Sequence, residues 1–228
     1  MEIIHLSFIN ELKTENLESN IIGMAVEYLT RFMLTKCVYI AFEVSVWGAE
    51  IIGEEEIANE LLENIIGLDE TSIACACELV KFDVYYRQRS IGYCEPRPKT
   101  VPNAETIYNI KEMVERSIKF FNEYGPITKA GFTFEGGYTK IIDTGDGDFL
   151  TKDTLWDFKV LKNPPTNEHT LQLLVYYLMG KHSENNKEFN TIKYIGIYNP
   201  RLNSIYRYAI DKISSETIKE VEKSVIGY

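Results

Sequence analysis

The Gly125-Pro126 pair divides the chain into two parts of different character, and this division constrains the fold more than any other feature. Before the pair, apolar residues recur mostly at helical spacing; after it, short β-prone runs are separated by glycine-rich turns. Glycine and proline together end a helix, because neither supports its continuation. We therefore predict an α/β fold, with a mixed central sheet flanked by helices and a largely helical N-terminal half. The 228 residues suit a single domain over 1–228, with 48–125 as a helical insertion.

The same patterns predict individual elements. In the first part they indicate helices over 21–35, 54–66, 71–81 and 103–124, a strand over Val38–Val46 and a loop over Gly92–Pro102. In the second part they indicate strands over 132–135, 138–143, 148–151, 154–160, 192–198 and 204–210, with helices over 167–181 and 214–225.

The charge is acidic but unevenly distributed. The net charge is −10, yet residues 1–125 carry 21 acidic and 11 basic side chains, whereas residues 126–228 carry 13 of each. Nucleic-acid binding depends on Lys and Arg, so the acidity argues at first against such a partner. Bound divalent cations would shift the neutral second part towards positive charge. A phosphodiester substrate is therefore not excluded.

Cysteine usage and hydropathy bear on the compartment. The four cysteines form no C-x-x-C pair, so we favour free thiols over an iron–sulfur cluster. They are Cys37, Cys75, Cys77 and Cys94. There is no run of 18 apolar residues, and the N-terminus lacks the pattern of a secretory signal. We expect a cytoplasmic protein without a membrane partner.

The segment over 154–160 carries the chemistry. Side chains alternate between the two faces of a strand. Asp157 and Lys159 therefore share one face, while Trp156, Phe158 and Val160 share the other. The bulky apolar set should face the core. This leaves an acid and a base side by side on a face directed to a cleft.

A tight turn at Lys152-Asp153 would pair this strand with the preceding one, so that Asp148 faces Asp157. Two carboxylates in direct opposition destabilise a sheet unless a cation compensates them. A divalent metal held by both, with Lys159 beside it, would do so. Mg²⁺ or Mn²⁺ suits carboxylate oxygens. Such an ion lowers the pKa of a bound water, and Lys159 would hold that water or stabilise the transition state.

The order of Asp148 followed by Asp157-Phe158-Lys159 on two adjacent strands resembles the signature of the PD-(D/E)XK nuclease superfamily. The family's usual proline before the first aspartate is Gly147 here. The resemblance covers roughly residues 130–210, with an extension to the helix at 20–36. It implies a restriction-endonuclease-like core that cleaves DNA with Mg²⁺ or Mn²⁺. The metal ligands would be Asp148, Asp157 and the backbone carbonyl of Phe158, with Lys159 as a catalytic residue.

The following helix extends the resemblance, because Gln172 and Tyr176 match the Q-x-x-x-Y motif of the RecB-like exonuclease branch. Gln172 interrupts an otherwise apolar helix. It either orients the attacking water or Lys159, as a catalytic residue, or pairs with a neighbouring backbone group. Tyr176 either contacts the substrate or is a core aromatic residue.

Glu27 also has two interpretations. Members of the superfamily often place an acidic metal ligand on the first core helix, and Glu27 has that position here. It is also spaced for an ordinary surface ion pair with Arg31. Glu135 and Asp146 are lesser candidates. His169 fits a solvent-edge residue at a helix start.

Three functions are therefore compatible with the sequence. The first is a metal-dependent nuclease acting on DNA, as an endonuclease or an exonuclease. The second is a non-catalytic module of the same fold that binds nucleic acid or protein. The third is an interaction protein whose acidic first half binds a basic partner. The sequence leaves RNA as a substrate and a homo-oligomeric state open.

Overall fold

The computed structural model describes residues 2–6, 11–88 and 100–228, which form two compact units. The sheet unit comprises Met1–Phe8 and Phe120–Tyr228, and the helical unit comprises Ile9–Lys119. In chain order, the helical unit lies between the first and second strands. One domain with an insertion at 48–125 stays a prediction. The loop predicted over Gly92–Pro102 falls mostly outside the described residues, as does Cys94.

The helical unit is built from α1 to α5 and most of α6. Their bounds are α1 Ser19–Thr35, α2 Val38–Ile51, α3 Glu55–Glu63, α4 Glu70–Leu79, α5 Asp83–Gln88 and α6 Ala104–Tyr124. Four predicted helices are confirmed in α1, α3, α4 and α6. Asn103 caps α6 as the sequence predicts, because its Oδ1 accepts the Thr106 N–H at 2.8 Å.

The strand predicted over Val38–Val46 is wrong, because this segment is the first part of α2. Its β-branched and aromatic residues suggested a strand. The buried side chains of α2 instead recur at helical spacing, at Ala41, Phe42, Ser45, Gly48 and Ala49. Packing of this stripe overrides the local β propensity.

The cysteines of the helical unit that the structure describes are free thiols. Cys37 and Cys75 are partly exposed, whereas Cys77 is fully buried. Burial raises the pKa of Cys77 to about 12. A thiol with so high a pKa is a poor nucleophile and metal ligand at neutral pH.

The sheet unit contains one six-stranded sheet in the order β1-β6-β5-β4-β3-β2. The strands are β1 Glu2–His5, β2 Ile127–Thr133, β3 Asp146–Thr151, β4 Thr154–Phe158, β5 Tyr194–Asn199 and β6 Ser204–Ala209. The β4–β5 pair is parallel and the other pairs are antiparallel. The predicted mixed sheet is confirmed, with β1 as a strand that the sequence analysis did not anticipate.

Two predictions between α6 and β3 are wrong. The strand expected over 132–135 is the end of β2, which runs from Ile127 to Thr133, and the strand expected over 138–143 is a loop that turns back on itself. Thr139 closes this turn, since its N–H donates to the Ile142 carbonyl at 2.9 Å. The apolar residues of the turn, Tyr138 and Ile142, pack against the core without pairing in the sheet.

The helices of the sheet unit are α7 Asn167–His182, α8 Asn186–Phe189 and α9 Ser215–Val221. One face of the sheet packs with α7 through an apolar cluster that includes Leu150, Leu155 and Leu173. On the other face, Trp156 contacts Phe120 from the last turn of α6, with ring centroids 4.9 Å apart. Within the described residues, no helix combines the length and hydrophobicity needed to cross a bilayer.

The burial of the two faces of β4 confirms one expectation and corrects another. Trp156 and Phe158 are buried in the core, as predicted, with 1% and 6% of their surfaces exposed. The opposite face is not an open cleft, because Asp157 is only 4% exposed. This carboxylate lies on the face of the sheet that α7 covers. The acid therefore occupies a far less hydrated environment than an open cleft would give it.

Candidate functional site

The β3–β4 hairpin has the register that the sequence predicts. Phe149 pairs with Trp156, and Leu150 pairs with Leu155. Continued by one residue, this register places Asp148 opposite Asp157. Directly opposed residues in an antiparallel pair project from the same face of the sheet. By this register, both candidate carboxylates project from the face that α7 covers.

Asp148 closes the open end of the hairpin. Its Oδ2 accepts the backbone N–H of Phe158 at 2.7 Å. The N–H of the next residue, Lys159, points to the other edge of the strand, where it donates to the Tyr198 carbonyl at 3.0 Å. A strand residue directs its N–H and C=O to the same edge. The Phe158 carbonyl therefore faces the edge on which Asp148 lies.

Asp157 is a buried acid with one unsatisfied oxygen. Its Oδ1 lies 3.1 Å from Nζ of Lys159. Its Oδ2 is buried and has no hydrogen-bond partner within the described residues. Burial raises the pKa of Asp157, although the positive charges of Lys159 and His169 act in the opposite direction. An unsatisfied buried acceptor costs about 1–3 kcal/mol, which marks Oδ2 as a position for a missing partner.

Lys159 is the cation of the site. Its side chain is 25% exposed, so the ammonium lies between the buried Asp157 and the solvent. Burial alone would lower its pKa, but the charges of Asp157 and Asp148 outweigh that effect and raise it. Lys159 is therefore a stable cation at neutral pH and not a general base.

Gln172 and Tyr176 lie one turn apart on α7 and contact each other. The Gln172 amide Nε2 donates to the Tyr176 hydroxyl at 3.0 Å. Burial raises the pKa of Tyr176 to about 12, and the charges of Asp146, Asp148 and Asp157 act in the same direction. The hydroxyl therefore keeps its proton at neutral pH. Because the amide is the donor in this bond, the phenolic proton is left to donate elsewhere.

The contact between Gln172 and Tyr176 bears on whether each residue has a structural or a catalytic role. Gln172 is half-buried and pairs with a side chain, not with a backbone group. Tyr176 is packed against the core, with its ring 5.0 Å from that of Phe134, and also feels the charges of the acidic residues. A role for either residue in catalysis stays a prediction.

A test of Gln172 follows from its bond. We expect Gln172→Ala to slow cleavage about tenfold or more, since Tyr176 loses the donor that orients its hydroxyl. The melting temperature should change little, because alanine is a good helix former at this half-buried position. Cleavage rate and melting temperature are measured on one preparation, with Leu171→Ala, an exposed neighbour, as the control. A normal rate with a large fall in melting temperature would remove Gln172 from the site.

The start of β3 is positioned by two features that the motif does not include. The Tyr138 hydroxyl donates to the Gly145 carbonyl at 2.6 Å and accepts the Phe134 N–H at 3.1 Å. At Gly147, a Cβ would lie 2.4 Å from the ring of Phe132, its pairing partner on β2. The ring of Phe132 therefore occupies the space that a side chain at position 147 would need.

A divalent cation fits the residues that are present. Asp157 Oδ2, the carboxylate of Asp148 and the Phe158 carbonyl supply oxygen donors, which is the chemistry that Mg²⁺ prefers. No cluster of three or more His, Cys, Asp or Glu side chains that could hold a metal occurs in the described part of the chain. A Mg²⁺ ion would therefore need the carbonyl and water molecules as further ligands, and Mg²⁺ usually keeps several waters.

Glu27 belongs to the helical unit, where it forms an ion pair with Arg31. Its Oε1 lies 2.6 Å from Nη2 of Arg31. The two side chains are 18% and 6% exposed, so this is a largely buried pair and not the surface pair that the sequence suggested. Its role as a further metal ligand stays a prediction.

The lesser candidates differ in their exposure and in their influence on Asp157. Asp146 is exposed at the start of β3, and its charge raises the pKa of both Asp157 and Tyr176. Glu135 is exposed in the turn after β2. His169, which the sequence placed at a solvent edge, is half-buried and close enough to Asp157 to influence its pKa. The spacing of His169 three residues before Gln172 was the signal that could have identified it.

Comparison with known proteins adds no relative to this description. No protein-family model, curated protein or solved structure matches the chain significantly. The resemblance to PD-(D/E)XK nucleases therefore rests on the motif residues of the sequence alone.

Proposed function

We propose that this chain is a metal-dependent nuclease that hydrolyses phosphodiester bonds in DNA. The observation that carries the proposal is the buried, unsatisfied Oδ2 of Asp157, which lies beside Lys159 and, by the register of the hairpin, on the same face as Asp148. A structural carboxylate would normally be fully hydrogen-bonded at such depth. An unsatisfied acceptor on the same face as a second carboxylate has a ready explanation as a cation ligand.

Each residue of the site would have a separate role in hydrolysis. A bound Mg²⁺ or Mn²⁺ would neutralise phosphate charge and lower the pKa of the attacking water. Lys159 would donate to a phosphoryl oxygen as negative charge grows on it. Tyr176, held by Gln172, would donate its phenolic proton in a hydrogen bond to the substrate. The water oxygen would bond to phosphorus as the bond to the leaving sugar oxygen breaks. The water would give its proton to solvent, and the leaving oxygen would take a proton from solvent.

The burial of the site also supports a catalytic role over a purely binding one. Two opposed carboxylates, one of them buried, reduce the stability of a sheet. A module that only binds nucleic acid or protein gains nothing from this cost. A nuclease gains from it, because electrostatic interactions are stronger in a less hydrated environment.

Cleavage assays test the proposal directly. Purified protein is incubated with linear duplex, circular duplex and single-stranded DNA, and with RNA, in Mg²⁺, Mn²⁺ or EDTA. We expect cleavage of DNA with either metal and none with EDTA. The comparison of linear and circular substrates distinguishes an exonuclease from an endonuclease.

Two lysine variants provide the matched pair for this assay. Lys159→Met should reduce cleavage at least about 100-fold, since one charge-stabilising donor commonly contributes that much. Lys152→Met, at the exposed turn of the same hairpin, should cleave like the wild type. Binding of DNA without cleavage in any metal would favour the non-catalytic module. Cleavage that persists in EDTA, or in Lys159→Met, would contradict the proposed site.

A further inference from the structure

The first turn of α7 has an unusual cap, in which His169 replaces the usual Glu or Gln of a capping box. The Thr166 N–H donates to Nδ1 of His169 at 2.9 Å. The Thr166 hydroxyl lies 3.0 Å from the same nitrogen. The ring is therefore held from the Nδ1 side, in the first turn of the helix that carries Gln172 and Tyr176.

This cap determines which ring nitrogen bears the proton. A backbone N–H can only donate, so Nδ1 must be the acceptor in its bond with Thr166. A neutral imidazole has one acceptor nitrogen and one donor nitrogen. In the neutral ring the proton is therefore on Nε2. The cap thus presents a fixed N–H donor on the side of the ring away from Thr166.

The donor lies near the proposed site. His169, Gln172 and Tyr176 are spaced i, i+3 and i+7, which places them along one face of α7. The positive form of His169 lowers the pKa of Asp157, so the ring is within electrostatic range of that carboxylate. His169 is half-buried, unlike its exposed neighbours Asn167 and Glu168.

We propose that His169 is a further substrate-contacting residue, whose Nε2–H donates to a phosphate oxygen of the nucleic acid. The inference rests on the proposed nuclease function and extends it. The face of α7 then presents three polar residues to the substrate, in the order His169, Gln172, Tyr176. Lys159 supplies charge, whereas His169 supplies a directed N–H donor.

Three substitutions of His169 distinguish its role in capping α7 from its role as a hydrogen-bond donor. Gln and Glu are the usual capping-box residues at this position, so His169→Gln and His169→Glu should both keep the melting temperature. The Gln amide retains a donor, whereas Glu has none. We expect His169→Gln to cleave within about fivefold of the wild type, and His169→Glu and His169→Ala to cleave about 10- to 100-fold more slowly, as for loss of one hydrogen bond to a charged group.

The alanine variant shows whether charge repulsion explains the result for Glu, because alanine removes the donor without adding charge. Ser214→Ala, which removes the N-cap of α9 in the same unit, should lower the melting temperature and leave the cleavage rate per folded protein unchanged. If His169 only caps α7, His169→Glu will cleave normally and the rate of His169→Ala will follow its melting temperature. Either result would overturn the inference.

A spectroscopic measurement gives a readout that does not depend on cleavage. Long-range ¹H–¹⁵N spectra of the ¹⁵N-labelled protein should show His169 protonated on Nε2. Addition of a 5′-phosphorylated dinucleotide to the Asp157→Asn protein should shift that N–H resonance. A proton on Nδ1, or no shift at saturating dinucleotide, would refute the inference while leaving the nuclease proposal intact. Absence of cleavage by the wild type with every substrate would refute the nuclease proposal and the inference with it.

Discussion

Asp157→Asn is expected to abolish cleavage and, in the absence of metal, to raise the melting temperature. Loss of a metal ligand removes several kcal/mol of transition-state stabilisation, so activity should fall by at least about 10³-fold. Stability should rise because burial raises the pKa of Asp157, which means that the ionised form is disfavoured in the folded protein. Asparagine has nearly the same shape and carries no charge.

The sign of this effect depends on pH in a defined way. The ionised carboxylate reduces stability at pH values above the raised pKa of Asp157. As the pH falls through that pKa, the wild type becomes protonated and the advantage of asparagine should disappear. Thermal melts at several pH values, in EDTA and in excess Mg²⁺, measure this dependence. Mg²⁺ should stabilise the wild type and not Asp157→Asn. Lower stability of Asp157→Asn at neutral pH without metal would show that the carboxylate is structural.

Trp156→Ala is expected to have the largest effect on stability, a loss of about 3–5 kcal/mol. Trp156 is 1% exposed, and its Nε1–H donates to the Thr151 hydroxyl at 3.1 Å. Its ring also lies where a Cβ on Gly196 would be, at 2.4 Å from that position. Alanine would therefore leave a large cavity, and the Thr151 hydroxyl would keep only its bond to the Thr154 carbonyl. Chemical denaturation monitored by circular dichroism measures the loss.

Trp156→Phe provides the control for this variant, since it fills most of the space and loses only the indole hydrogen bond. It should cost less than half as much. The folded fraction of either variant should retain metal-dependent cleavage, because Trp156 faces away from Asp157. A change of less than about 1 kcal/mol in Trp156→Ala would contradict the packing described for this face of the sheet.

The sequence predicts the central hairpin well. The alternation of side chains along the strands and a tight turn between them allow only one register for Asp148 and Asp157. It fails at α2, where β-branched residues occupy a helix whose buried stripe depends on tertiary packing. It also fails at the turn around Thr139, where a side chain and a single backbone bond replace a strand pair. Both errors arise where long-range packing overrides local preference.

The sequence predicts which residues form the site, but it does not predict how deeply they are buried. Alternation along β4 identifies Asp157 and Lys159 as neighbours on one face. It cannot reveal that α7 covers this face, because that depends on how the sheet and helix pack. The cap formed by His169 was also missed, since capping boxes are recognised by Glu or Gln at that position.

The edge of the sheet has a consequence for how the chain is made. β1 pairs with β6, so that Glu2 lies opposite Arg207 at the other end of the sequence. During synthesis the N-terminus emerges first, and this strand has no partner until the ribosome has passed Ala209. A nascent chain must therefore keep Glu2–His5 unpaired until β6 has been synthesised. A fragment beginning at Phe120 would lack this strand and leave the edge of β6 open to pairing with other molecules.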